Sequence, residues 1–271
     1  MLGMLLKSGS GFRAQYDHDM AQMLARSIDA PLLAEADLAP LPPAIQRYIR
    51  MSGAVGQPQV RNFRARFHGQ IRSGPKARWM AFTGEQHNVY GPPSGPSRFF
   101  LMDASMFGIP LQAFHRYVDA QATMRVKVMS LLTIVDAKGP VMDKAETVTV
   151  FNDLCIFAPG ALVDHAIQWQ EIDAHTVRAQ FANAGHRVSA VLSFNARDEL
   201  MDFVSDDRSA ASSDGASFTK MRWSTPLFDY RAFGAHRLMS RGEGIWHAPA
   251  GEYVYLRFGL DAIDYSLTKA Q

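Results

Sequence analysis

The chain has little cysteine, little net charge and no long apolar run, and each absence narrows its class. A single cysteine, Cys155, in 271 residues rules out an intrachain disulfide and a metal site built from several cysteines. Lys and Arg number 28 against 26 Asp and Glu, so the net charge is only +2 and does not indicate a nucleic-acid-binding face. The first six residues are apolar, but this stretch is far shorter than the ~18 residues needed to span a bilayer.

Signatures of catalysis are also absent. No glycine-rich phosphate loop and no strand-to-helix nucleophile motif occurs. Glu243 and His247 are four residues apart on a predicted strand, about 13 Å, which is too far for both to bind one metal ion. We therefore expect no metal and no cofactor, and assign no catalytic residue.

Two helices are expected near the N-terminus. Residues 13–30 have apolar side chains at helical spacing, and Pro31 ends the pattern. A second helix should follow Pro42 and Pro43, because proline suits the first turn, and Gly53 can cap its end.

From Val60 the apolar period changes to two, which indicates strands with one buried face. We expect strands from about Val60 to Arg72 and from Arg78 to Tyr90, followed by a loop at 91–96. Phe99–Phe107 and Met124–Val135 are apolar on both faces, so we expect them to be covered on both sides. One charged strand face carries either a site for anionic groups or, the simpler interpretation, a solvated surface: Arg64, Arg66, His68 and Arg72.

Residues 143–159 contain conflicting signals. The run Thr147–Phe151 is rich in β-branched residues, but Asp143 and Glu146 have capping spacing and Pro159 marks a stop. We expect a helix of about four turns. Its apolar face is Val148, Phe151 and Cys155, and its opposite polar face is Glu146, Thr149 and Asp153.

The C-terminal half has the spacing of an antiparallel meander. Strands are expected at 167–172, 176–181, 186–194, 199–205 and 218–224, with a closing hairpin of 244–247 and 252–258. Residues 205–217 resemble a flexible linker.

The predicted fold is mainly β (α+β): a curved, open antiparallel sheet or half-barrel with N-terminal helices and the mid-chain helix on its concave side. Residues 1–37 are predicted as an N-terminal helical tail and 38–266 as one β-rich domain.

Several segments together resemble an uncharacterised bacterial family of unknown function, numbered 6544 or 6920, over about Leu38 to Tyr265. They are Leu41-Pro-Pro-x-x-Gln46-Arg47-Tyr48, Thr147-Val-x-x-Phe-Asn152-Asp153-x-Cys-x-x-Ala158-Pro159-x-Ala161-Leu162, Trp169 and Gly242-Glu243-Gly244-x-Trp246. The order of elements also resembles lipoprotein carriers of the LolA type, whose open barrel holds acyl chains under a helical lid. Family members often carry an N-terminal anchor or signal. This chain as written has too short a head, so we expect a soluble, cytoplasmic protein, or an anchored or periplasmic one if the start is truncated.

Three hypotheses for function follow. The first is a non-catalytic module that binds a lipid or another hydrophobic molecule, with possible peripheral membrane association and no nucleic acid. Its expected lining is Val148, Phe151, Asn152, Asp153, Phe99, Met102 and Trp169. The alternatives are a hydrolase or isomerase that uses groups such as Asp153, His165 and Glu243, and a structural or interaction protein marked by an exposed apolar patch. Asn152 either bonds to a neighbouring strand and fixes the helix, or projects into a cavity and orients a ligand. Oligomeric state is not predicted.

Overall fold

The computed structural model describes residues 11–25, 30–90, 95–164, 167–212 and 214–267. Helix α1 is Phe12–Leu24, α2 is Pro43–Met51 and α3 is Pro140–Phe157, and short 3₁₀ turns lie at Glu35–Leu38 and Pro159–Asp164. The strands are β1 Asn62–Ile71, β2 Met80–Val89, β3 Ser97–Met106, β4 Ile109–Val118, β5 Gln121–Val128, β6 Leu132–Lys138, β7 Ile167–Asp173, β8 Thr176–Asn183, β9 His186–Phe194, β10 Leu200–Ser205, β11 Ser209–Ala211, β12 Phe218–Lys220, β13 Arg222–Ser224, β14 Leu227–Phe233, β15 His236–Ala248 and β16 Gly251–Tyr265.

Fourteen strands form one antiparallel sheet, as the period-two pattern predicts. Strands β1 to β6 are sequential neighbours on one arm, and β7 to β10 are sequential neighbours on the other. The last hairpin joins the arms, since β16 pairs with β1 and β15 pairs with β13. In the described part of the chain the outermost strands β6 and β7 do not pair, so the sheet is open.

Helix α3 lies on the concave side of this sheet. It contacts β5 and β6 on one arm and β9 and β10 on the other, and every residue from Ala145 to Phe157 is buried. A helix surrounded by the sheet can be apolar on most of its surface, and tertiary packing overrides the strand propensity of its β-branched run. The helix begins at Pro140, earlier than predicted, and the Asp143 carboxylate accepts a hydrogen bond from the Ala122 amide instead of capping the helix.

Helix α1 lies on the opposite, convex face, which differs from the expected concave position. Its buried side chains Phe12, Tyr16 and Met20 pack on Phe99 and Phe114. Strand side chains alternate between faces, so Phe99 points away from the face that carries its neighbours in sequence. Helix α2 does pack on the inner core, where the Tyr48 hydroxyl donates to the Cys155 carbonyl at 2.8 Å.

Two segments differ from their predicted form. Residues 124–135 form parts of two strands, β5 and β6, because Met129 and Ser130 turn the chain with positive φ. The expected linker 205–217 contains β11, which pairs with β12. The predicted end of the first helix at 26–29, part of the loop at 91–94, and His165 lie outside the described residues. Within the described ranges, no helix is both long and apolar enough to cross a membrane.

Candidate functional site

A cavity of about 360 Å³ separates α3 from part of the concave face, a volume within the ~300–1,000 Å³ range of small-molecule sites. Its apolar part is bounded by side chains from β1 to β3, from α3 and from β16: Phe67, Phe82, Phe100, Met102, Phe157 and Phe258. Because β3 alternates, Arg98, Phe100 and Met102 all point into this space.

Glycines allow aromatic rings to lie close against the strands that bound the cavity, and Gly84 and Gly242 are two examples. A Cβ atom at Gly84 would stand 2.8 Å from the Phe100 ring, and one at Gly242 would stand 2.5 Å from the Phe258 ring. A side chain at either position would displace its ring, so these glycines set the positions of two wall residues.

The other end of the cavity is polar, and Asp153 on α3 is at its centre. Its Oδ2 accepts hydrogen bonds from Arg98 Nε at 2.7 Å, Gln86 Nε2 at 2.8 Å and Asn88 Nδ2 at 3.2 Å. Asn88 Nδ2 also donates to the Tyr90 hydroxyl at 3.0 Å. Donors on two strands thus converge on one helix carboxylate and fix α3 against the sheet.

Glu146, two turns earlier on α3, is the second buried carboxylate. Arg98 Nη1 lies 3.4 Å from its Oε2, and Arg208 Nη2 lies 3.7 Å from its Oε1. His115 Nδ1 is 4.0 Å from the same oxygen, which is too long for a hydrogen bond. Arg208 also stacks on the Trp223 ring, with its guanidinium carbon 4.3 Å from the ring centre.

Burial and charge act in opposite directions on the titrating groups. Burial raises the pKa of Asp153 despite the nearby Arg98 guanidinium. Burial alone would raise the pKa of Glu146 as well, but Arg98, His115 and Arg208 together hold it below its usual value. Burial lowers the pKa of His115 to about 4, so this imidazole is neutral at pH 7. With both carboxylates ionised, the two arginines balance the cluster.

Some polar atoms of cavity-lining residues have no hydrogen-bond partner among the described residues. They are Asn152 Nδ2, Arg208 Nε, His115 Nδ1 and Thr225 Oγ1, and all four residues line the cavity. Asn152 is only 3% exposed. A buried donor without an acceptor costs about 1–3 kcal/mol, and such a group in a native structure calls for an unseen partner.

Three of the predicted site residues line the cavity: Asn152, Asp153 and Met102. The predicted polar face of α3, Glu146, Thr149 and Asp153, is buried and lines the cavity, where Asp153 pairs with Arg98. Asn152 does not bond to a neighbouring strand through Nδ2.

The other four do not line it. Val148 and Phe151 are buried in the core, and the Phe151 ring stacks on Phe181 with centroids 5.0 Å apart. Phe99 packs under α1 on the convex face. Trp169 on β7 packs against the core from the far end of the strand order.

Of the residues in the enzyme hypothesis, Asp153 and Glu243 are described by the structure, and it does not bring them together in the cavity. Glu243 points away from the cavity, since its neighbours Gly244 and Trp246 line it in alternation, and it pairs with Arg257 at 3.1 Å. Asp153 accepts three hydrogen bonds through Oδ2, from Gln86, Asn88 and Arg98. No group of three His, Cys, Asp or Glu side chains that could hold a metal ion occurs in the described ranges.

The charged face predicted for β1 is only partly on the outer surface: Arg66 and His68 are exposed, whereas Arg64 is 17% exposed and Arg72, just after the strand, lines the cavity. Arg64 pairs with Glu85 at 3.2 Å, and His68 lies 2.7 Å from Asp261. The exposed His68 pair fits the solvated interpretation, whereas the largely buried Arg64–Glu85 pair and Arg72 do not.

Sequence reasoning missed Arg98, His115 and Arg208. Arg98 was missed because it begins an apolar stretch and looks like the first residue of a strand. Arg208 was missed because it lies in the segment that resembles a linker. The available signal was the pair of acids on α3, Glu146 and Asp153, which needed cations once the helix was buried.

Among curated proteins, no sequence matches the chain. Solved structures with a similar fold include a putative outer membrane lipoprotein-sorting protein domain from Vibrio parahaemolyticus, at 8% identity and TM-score 0.40, covering 82% of this chain and 91% of that one. A DUF1329 family protein from Desulfovibrio piger has 10% identity and TM-score 0.41, covering 83% and 92%. A LolA superfamily protein from Nitrosomonas europaea has 9% identity and TM-score 0.35, covering 82% and 94%.

The family model for DUF6544, a family of unknown function, matches residues 31–258. This range includes the segments around Pro42, Asn152, Trp169 and Trp246 that carried the resemblance. The chain belongs to the DUF6544 family.

Proposed function

We propose that this protein binds a lipid-like amphiphile in the cavity between α3 and the concave sheet face. The observation that carries the proposal is a single cavity space with an apolar part walled by phenylalanine and methionine and a polar end with unpartnered donors. An apolar chain fits the first part, because burying apolar surface is favourable by about 25 cal/mol per Å².

The head group of the ligand is an acceptor of hydrogen bonds. Asn152 Nδ2 and Arg208 Nε are donors without an acceptor, and both line the polar end. Arg98 and Arg208 are already balanced by Glu146 and Asp153. An uncharged group with ester, hydroxyl or amide oxygens therefore suits this end better than a phosphate, which would bring net charge into a buried cluster.

Mass spectrometry of the native purified protein, followed by organic extraction, tests whether such a molecule co-purifies. Binding is then measured by titration with N-phenyl-1-naphthylamine, an uncharged apolar fluorophore, and by its displacement with monodecanoylglycerol. We expect saturable binding of one probe molecule and competitive displacement.

Two variants locate the site. Met102→Trp places a larger side chain in the apolar part and should weaken probe binding at least about tenfold, whereas Leu101→Met, on the opposite face of β3, should not. Asn152→Leu should weaken displacement by monodecanoylglycerol about tenfold, the value of one hydrogen bond of roughly 1.4 kcal/mol, and leave the apolar probe unaffected. A protein that carries no extractable molecule and shows no saturable binding contradicts the proposal.

A further inference from the structure

Three neighbouring turns lie at the same end of the strands of one arm and are here together called the tip edge: residues 72–79 between β1 and β2, 107–108 between β3 and β4, and 129–131 between β5 and β6. The turns are in contact along the edge. The Arg78 guanidinium carbon lies 5.4 Å from the centre of the Phe107 ring, and the Met129 amide donates to the Pro110 carbonyl at 2.9 Å. The tip edge is therefore one continuous surface.

Large apolar side chains are concentrated on and beside these turns. Phe107 is 76% exposed and Leu131 is 83% exposed. Of 11 exposed large hydrophobic residues among those described, seven are here: Met106, Phe107, Ile109, Met129, Leu131, Leu132 and Ile134. Scattered exposed apolar residues are ordinary, but a contiguous group marks an interaction surface.

Two of these turns, β3–β4 and β5–β6, hold bulky apolar residues in a backbone conformation that normally favours glycine or asparagine. Phe107 has φ 54° and Met129 has φ 52°, in the left-handed region where asparagine or glycine is usual and a bulky side chain is strained. Such a position costs of order 1 kcal/mol and is retained where it serves a purpose. In the β3–β4 and β5–β6 turns an apolar side chain therefore occupies a position where asparagine or glycine would fold more readily.

The charges within and directly beside the three turns are positive, and the exposed acids Asp103 and Asp136 lie farther along the strands. Residues 72–80, 104–111 and 126–134 contain Arg72, Lys76, Arg78 and Lys127 and no Asp or Glu. Lys76 and Arg78 are exposed. Cations beside apolar tips complement an anionic lipid surface, where each Lys or Arg near the surface strengthens binding by about 1 kcal/mol.

We propose that the tip edge docks the protein on an anionic phospholipid bilayer, with the side chains of Phe107, Met129 and Leu131 inserted between the lipids. A bilayer is favoured over a folded protein partner, because separate projecting turns with apolar tips and flanking cations suit a deformable, anionic medium. The edge also borders the cavity, since Ile71, Arg72 and Ser73 line it and lie where β1 enters the first of the three turns. This proposal does not depend on ligand binding by the cavity.

The test is co-sedimentation of the full chain with vesicles of phosphatidylcholine, with and without phosphatidylglycerol. We expect binding that is stronger to the anionic vesicles and weaker in high salt. The variant Phe107→Asn/Met129→Asn should bind at least about tenfold more weakly, because it removes two inserted side chains. Its thermal midpoint should not fall, because asparagine tolerates positive φ. Lys76→Gln/Arg78→Gln should lower binding to anionic vesicles alone.

Two further variants guard against misfolding and nonspecific effects. Leu131→Gln removes a single exposed side chain from the same edge and should also weaken binding. Ile172→Asn, a 48% exposed position on β7 at the far end of the strand order, should not. The proposal is overturned if the wild-type protein does not bind anionic vesicles. It is also overturned if the tip variants bind as the wild type does, or if sedimentation velocity shows self-association through this edge in place of vesicle binding.

Discussion

Replacing Arg98 should be among the most destabilising single changes in this protein. Arg98 is 8% exposed and bonds to Asp153 at 2.7 Å, Gln86 at 3.2 Å and Glu146 at 3.4 Å. In Arg98→Met both carboxylates stay buried without the cation that bonds to them. Removing one partner of a buried ion pair typically costs about 3–5 kcal/mol, and we expect a loss of that size in the free energy of unfolding at pH 7.

The matched control is Arg116→Met. Arg116 lies on the same sheet arm and bonds to Asp19 at 3.0 Å, but its side chain is 34% exposed. Because the Arg116 side chain reaches solvent, this pair should contribute far less than the buried cluster, about 1 kcal/mol. Urea unfolding of the two variants and the wild type, followed by circular dichroism, compares a buried and an exposed arginine in one scaffold.

The pH dependence of the Arg98→Met deficit identifies its cause. Without the guanidinium, the folded-state pKa of Asp153, already raised by burial, rises further, and that of Glu146 rises from its lowered value. A raised folded pKa contributes stability below the unfolded pKa and loses it as pH rises through the folded value. The deficit should therefore be largest at pH 7 and shrink towards pH 4, and Arg98→Met/Asp153→Asn should recover part of it at pH 7. A deficit below 1 kcal/mol, or one that does not change with pH, refutes the assignment of a buried charge cluster.

Two other predictions concern buried titrating groups. Burial lowers the pKa of His87 to about 4, so the native state favours its neutral form. The free energy of unfolding should therefore fall by up to about 3 kcal/mol as pH drops from the unfolded pKa of 6.5 towards 4. In urea unfolding curves measured over this pH range, His87→Gln should show a smaller change. The Tyr16 hydroxyl lies 2.7 Å from His87 Nδ1, so the same protonation should loosen α1, which proteolysis near Phe12 would detect. Burial raises the pKa of the Cys155 thiol, so Ellman's reagent should label it only at the rate of unfolding, and stoichiometric labelling of the native protein within minutes would contradict this placement.

The strands were predictable because the period of two is a local property. β1, β2 and β7 to β10 lie within a few residues of their expected bounds, since each alternates and ends at turn residues. Strand β4 and the turn that divides β5 from β6 were missed, because apolar residues such as Met129 and Leu131 occupy positions where turn residues are usual. The same unusual residues make the tip edge worth testing.

The cavity lining was less predictable, and Phe99 shows why. Phe99 and Met102 are an odd number of positions apart on one strand, so they cannot both face the cavity. Phe100 has the correct parity and lines it. Parity gives two sets of side chains for each strand, but only the packing of α1 on one face and α3 on the other decides which set is inside.

The relative positions of the polar cluster and the tip edge link the two proposals. Arg98 is four residues farther from the β3–β4 turn than Met102, which is about 13 Å along the strand. The apolar part of the cavity is thus nearer the tip edge, and the polar end is deeper.

A protein docked through that edge meets the head groups of a bilayer first. An amphiphile that enters head first would carry its polar group to Asn152 and Arg208 and leave its chain between Phe82 and Met102. Entry with the chain first would place apolar carbons against the unpartnered donors and forfeit their hydrogen bonds. The arrangement of the cavity therefore favours exchange with a membrane in one orientation, with the polar group entering first.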